Sequence, residues 1–222
     1  MTKLKALILG LLLLVPIFVF IFIYTFGEHH FTLRSYFPKL DDKGEVLRDA
    51  KGDTLFNSVP EFNLIDQSAT SFSQEDLKGK IYIASFFFTD CPDMCKKMNA
   101  QLVRVQEAYQ NNPTIQLVSI SVKPEEDSAS VLSKYAEAYK ADTTQWHFLT
   151  GKREEIYKLA QEGFHLPLQK TGGAEGFIHN DSFMLVDKEQ KVRGVYKGTD
   201  PAEVDRMILE INVLLDEYSK SR

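Results

Sequence analysis

The chain has 222 residues, 44% hydrophobic and 26% charged, with a formal net charge of −5 at pH 7. That size and apolar content suit one domain with a substantial core, and the unremarkable net charge gives no sign of the basic face expected for nucleic-acid binding. Two cysteines are too few for a disulfide-stapled scaffold, and no internal repeat or low-complexity tract is read.

In chain order, residues 6–26 come first, a run of 21 residues without a charge. About 20 such residues span a bilayer as a helix, and Pro16 near the middle is tolerated there. A cleaved signal has a shorter apolar region and a small-residue cleavage site, which Tyr24-Thr25-Phe26-Gly27-Glu28 does not offer. An uncleaved transmembrane anchor is expected. Lys3 and Lys5 ahead of it, against Arg34 and Lys39 behind, favour a cytoplasmic N-terminus with the rest of the chain on the non-cytoplasmic side. The expected organisation is a cytoplasmic tip and anchor at 1–27, a polar tether at 28–58 and a domain at 59–222. His29 and His30 read as interfacial polar residues.

Within the domain, residues 59–66 and 71–72 suggest an antiparallel entry hairpin. Residues 81–88 are apolar, β-branched and aromatic, which predicts a buried strand. Met98, Leu102, Val105 and Tyr109 recur at helical spacing, so a helix is expected over 93–111, stopped by Asn111-Asn112-Pro113. A second buried strand covers 115–122, broken by Lys123-Pro124-Glu125-Glu126-Asp127. A helix follows with Val131, Leu132, Tyr135 and Tyr139 on one face. Then come a short strand at 146–149, a short helix at 153–162 and paired strands at 182–186 and 191–196. The final helix opens on Asp200-Pro201-Ala202-Glu203, a cap, an N1 proline and an acidic third position. A crossover helix makes the strands at 81–88 and 115–122 parallel. This order predicts an α/β fold: a thioredoxin-like sheet flanked by helices, preceded by one N-terminal transmembrane helix.

The cysteines stand where the first core strand gives way to a helix, in Phe88-Thr89-Asp90-Cys91-Pro92-Asp93-Met94-Cys95. Unsatisfied N–H groups at a helix start favour negative charge, so the placement favours thiolates. Residues i and i+4 share a helix face, so both sulfurs can meet at one place. They could close a disulfide or hold one soft metal ion. A purely stabilising bridge is disfavoured, because so short a loop gains little chain entropy. The C-x-x-x-C spacing departs from the C-x-x-C of dithiol exchange and fits a metal clamp that needs a further ligand. His179, in the Gly-rich loop that leads into the strand at 182, is the candidate. Met94 and Met98 read as core packing, His147 as packing in a strand and His165 as loop surface.

Taken together, these residues resemble the Sco (SenC) family of membrane-anchored copper-binding proteins. The resemblance runs from about Pro60 to the C-terminal helix and includes the anchor. It is carried by Phe87-Phe88-Thr89-Asp90-Cys91-Pro92-Asp93-Met94-Cys95, by Trp146-His147-Phe148-Leu149-Thr150-Gly151, and by His179 eight residues before Asp187. It implies that Cys91, Cys95 and His179 surround one copper ion. Thiolates suit Cu(I) and imidazole also accepts Cu(II), so such a site serves both states; zinc is the competing metal. Two positions depart from the family: Lys96 stands where many relatives have proline, and Ile178 where an aspartate commonly precedes the histidine. Asp181 and Asp90 are the candidate replacements for that carboxylate.

The resemblance further implies a copper chaperone rather than an enzyme, membrane-bound through its N-terminal helix and delivering copper to the dinuclear centre in subunit II of cytochrome c oxidase. The alternative is a thiol–disulfide oxidoreductase that keeps oxidase cysteines reduced or senses redox state. It would act through Cys91 and Cys95 with a thiol-reducing partner.

Overall fold

The computed structural model describes residues 3–26, 32–166 and 181–220. The chain divides into two compact units, Met1–Thr32 and Leu33–Arg222. In the first, α1 (Lys3–Phe26) runs as one helix through Pro16. From Ile8 to Phe22 its described side chains are apolar and almost all exposed. An apolar surface on all sides suits a helix surrounded by lipid.

Among the described residues, the second unit holds a seven-stranded sheet in the order β2-β1-β5-β4-β3-β6-β7. Its strands are β1 (Asn63–Asp66), β2 (Ser71–Ser73), β3 (Ile81–Phe87), β4 (Ile115–Ser121), β5 (Trp146–Thr150), β6 (Ser182–Val186) and β7 (Val192–Lys197). The helices are α2 (Met94–Tyr109), α3 (Ala129–Ala138), α4 (Arg153–Lys158) and α5 (Pro201–Lys220). β3, β4 and β5 are parallel, whereas β6 and β7 continue the sheet antiparallel, as expected. The entry hairpin β1–β2 joins the far side, antiparallel to β5. This is the thioredoxin-like arrangement with the β5–α4 pair extending the sheet.

Every residue of β3 and β4 is buried because both faces of the sheet are covered. Ile81, Ile83 and Phe87 pack with α2, α3 and α5, through Met98, Leu102, Leu132, Val204 and Ile211 among others. Tyr82, Ala84 and Phe86 point the opposite way, toward Leu77, Ile156, Leu159 and Phe164. The period-2 alternation of a strand makes this division. Each fully buried Leu, Ile or Phe stabilises the fold by roughly 1.5–3 kcal/mol. The short helix expected to reach 162 ends at Lys158, and a π turn (Leu159–Gly163) follows. That wider turn brings Leu159, Ala160 and Phe164 onto the core together.

The stretch 28–58 differs from a plain tether. From Leu33 onward it belongs to the folded unit and lies along β7 and the β6–β7 turn. Tyr36 N–H donates to the Val192 carbonyl and Val59 N–H to that of Gln190, at 2.8 Å each. The guanidinium of Arg193, itself paired with Asp187 at 2.9 Å, donates to the Leu33 carbonyl. Sequence reading also missed a short repeat, Asp41-Asp42-Lys43-Gly44-Glu45-Val46-Leu47 against Asp49-Ala50-Lys51-Gly52-Asp53-Thr54-Leu55. Its spacing of eight residues places Lys39, Leu47 and Leu55 in a closed ring of backbone hydrogen bonds of 2.8–2.9 Å.

Candidate metal centre

The site is built at the C-terminal end of β3. Phe87 is held by the Val122 N–H, which donates to its carbonyl at 2.9 Å. The chain then leaves the sheet, turns through residues 88–93 and enters α2 at Met94. Cys91 lies in the turn, and Cys95 in the first helical turn. No disulfide joins them in this structure, and both are buried, at 3% and 2% exposure. Asp90, Pro92, Asp93 and Lys96 are exposed around them, so the pair sits just under the surface.

The two cysteines meet, as the spacing predicts. The Cys95 N–H donates to Cys91 Sγ at 3.2 Å, which puts the sulfur where a helix N-cap acceptor ordinarily sits. The expected preference for thiolate does not extend to Cys95. Burial pushes its thiol up to about 12, and the hydrogen bond with Cys91 adds to the rise. Desolvation of an anion exceeds the attraction of a helix end here. Beside the pair, the Tyr135 hydroxyl accepts from Asn99 Nδ2 at 2.8 Å, and its proton is also held tightly by burial. Met98 is buried and Met94 half-buried against the same core, in line with packing roles.

His179 lies outside the described residues, as do His29, His30 and Ile178. Among the described residues, no set of three His, Cys, Asp or Glu side chains forms a metal-holding group. The donor set among the described residues is therefore the two sulfurs of Cys91 and Cys95. Asp181, immediately before β6, is already engaged: it accepts from the Thr199 hydroxyl at 2.5 Å. His147 bonds Gln116 Oε1 at 2.9 Å and stacks on Phe72, on the sheet face away from the thiols. His165 is exposed and stacks on Phe37.

Sequence reading missed Thr89, Asn99, Tyr135 as a site neighbour, and Asp127. Asp127 was read only as part of a strand break; it lies six residues after β4 ends at Ser121, so no local pattern singled it out.

Such a paired, buried dithiol can lose its protons to a soft metal or its electrons to a disulfide. Comparison with known proteins bears on the choice. The SCO1/SenC family model matches residues 51–215. The SCO1 protein homolog of Bacillus subtilis is 33% identical over 161 residues, covering 72% of this chain and 83% of that protein. A protein of Stutzerimonas stutzeri named for copper binding is 29% identical over 163 residues, covering 72% and 78%. The solved structure of BsSco, described as a member of the Sco family of cytochrome c oxidase assembly proteins and as having a disulfide switch, is 32% identical. It superposes with a TM-score of 0.62 over 70% of this chain and 91% of its own. The chain belongs to the SCO1/SenC family.

Proposed function

We propose that this chain is a membrane-anchored copper metallochaperone that takes one copper ion through Cys91, Cys95 and His179. The observation that carries the reading is the pair of adjoining buried thiols at the start of α2, in a domain of this family. Copper is the cargo. Cu(I) replaces the thiol protons, so the high proton affinity of Cys95 makes uptake release a proton and weaken as pH falls. His179 supplies the imidazole that Cu(II) accepts. Release proceeds by ligand exchange, thiolates of the recipient displacing Cys91 and Cys95 in turn. The recipient in this reading is subunit II of cytochrome c oxidase, and the domain works on the non-cytoplasmic side of the membrane. The copper-binding name of the Stutzerimonas relative and the oxidase-assembly description of BsSco support it.

The same hydrogen-bonded thiol pair favours a second reading, a thiol–disulfide oxidoreductase. Its weakness is the C-x-x-x-C spacing, one residue longer than the C-x-x-C of dithiol exchange.

One experiment separates the two. The full chain in detergent, reduced and anaerobic, is loaded with Cu(I) or Cu(II) as wild type, Cys91→Ser, Cys95→Ser and His179→Ala. One copper per chain is expected, lost from either cysteine variant. His179→Ala should keep Cu(I) and alter the thiolate-to-Cu(II) absorption. Copper content unchanged in the cysteine variants overturns the proposal; turnover with a dithiol donor that ignores His179 establishes the oxidoreductase.

A further inference from the structure

The turn that carries Cys91 is irregular, and two of its hydrogen bonds are local. The Cys91 N–H reaches back to the Phe88 carbonyl at 3.3 Å, and the Cys95 N–H to Cys91 Sγ. One tie from this turn to the segment after β4 runs through Thr89, two residues before Cys91. The Thr89 N–H donates to Asp127 Oδ2 at 3.2 Å, and the Thr89 hydroxyl donates to Oδ1 of the same carboxylate. From the end of β4, Ser121 Oγ donates to Oδ2 at 2.5 Å while accepting from the Lys123 N–H at 3.1 Å. Asp127 is 1% exposed and Ser121 0%.

A buried carboxylate is costly unless donors satisfy it. Here the donors that converge are all uncharged and come from the Cys turn and the end of β4. Nearby cations are engaged elsewhere, Lys123 with Glu126 and Arg153 with Glu125. Asp127 thus clamps two segments together, and one of them is the segment that presents the first sulfur.

We propose that Asp127 is a positioning residue for the metal centre, its carboxylate holding Thr89 and thereby setting where Cys91 Sγ stands relative to Cys95. The inference rests on the copper reading above and deepens it. Asp127 touches neither thiol; it acts through Thr89. Groups that hydrogen-bond a ligand directly change metal affinity by about ten- to a hundredfold when lost, and a residue acting through Thr89 is expected at the low end of that range.

The test uses the full chain in detergent, as wild type, Asp127→Asn, Thr89→Val and Thr89→Ser. Cu(I) affinity by competition with a chelator, the thiolate-to-Cu(II) absorption and thermal unfolding are recorded for each. Asp127→Asn and Thr89→Val should weaken Cu(I) binding by about tenfold and shift the Cu(II) band, whereas Thr89→Ser, which keeps both bonds to Asp127, should match wild type. An unshifted band and unchanged affinity in folded Asp127→Asn and Thr89→Val overturn the inference. If Asp127→Asn fails to fold, the Thr89 pair decides alone. A wild-type chain that retains no copper defeats the copper reading instead. The inference is then judged by alkylation of Cys91 in the reduced protein: faster in Thr89→Val than in Thr89→Ser supports the clamp, and equal rates reject it.

Discussion

At the residue scale, Cys95 shows how burial and helix position compete. A thiol at a helix start is stabilised as thiolate only while solvent or a cation shares the charge. Enclosed against Met98 and Phe87, Cys95 keeps its proton up to about 12, against an ordinary thiol value of 9. Because the folded value is raised, the stabilisation is fully present below pH 9 and is lost as pH climbs toward 12. The reduced, metal-free chain should therefore lose stability from pH 9 to 10, before tyrosines reach their ordinary value of 10. Cys95→Ser should reduce that slope without abolishing it, because the buried Tyr82, Tyr109, Tyr135, Tyr196 and Tyr218 also hold their protons more tightly in the folded chain. Urea unfolding at several pH values reads it directly, and a flat wild-type profile would contradict the account. Both cysteines were legible from their spacing and setting, and burial was not, because the enclosing side chains come from α2 and α3 as well as β3.

At the element scale, one turn is used four times among the described residues. In residues 41–45, 49–53, 66–70 and 187–191 an aspartate opens the turn. Its Oδ1 accepts two backbone N–H groups, two and four residues on, at 2.8–2.9 Å. The fourth residue adopts positive φ: Gly44 at 81°, Gly52 at 89°, Ala69 at 61° and Gln190 at 64°. Left-handed backbone costs an ordinary residue about 1–2 kcal/mol, more than the unfolded-state entropy that glycine adds. Ala69 is exposed, so Ala69→Gly should stabilise the chain by roughly 0.5 kcal/mol or more, read as a raised urea midpoint at constant slope. A lowered midpoint would show that the turn carries no strain. Gln190 is different, since its Oε1 accepts from the buried Tyr82 hydroxyl at 2.9 Å. The turn at 187–190 was legible in the sequence, while the repeat at 41–55 was passed over as tether because its strands are single bridges with no alternating apolar pattern.

At the scale of the whole molecule, an apolar helix and a separate folded unit make two units in one chain. The full chain should sediment with membranes and resist an alkaline wash, whereas a chain lacking residues 1–32 should be released into the soluble fraction with its copper stoichiometry intact. Cell fractionation checks this, and a full chain found entirely in the soluble fraction would refute the anchor. Residues 33–59 run beside the β6–β7 turn and the first two residues of β7. They engage the Val192 carbonyl at the start of this edge strand, one group fewer for another chain to pair with.

By itself the sequence determined the helix in the first unit, the order of strands and helices in the second, and the meeting of Cys91 with Cys95. Each of these depends on local periodicity or on residues within one helical turn. Only the tertiary structure decided that the stretch from Leu33 folds onto β7, that β5 links the entry hairpin to β4, that Cys95 holds its proton, and that Asp127 reaches Thr89. Those outcomes depend on groups far apart in the chain, and their energies come from burial and from donors converging on one carboxylate. Such terms exist only once the sheet has brought the groups together.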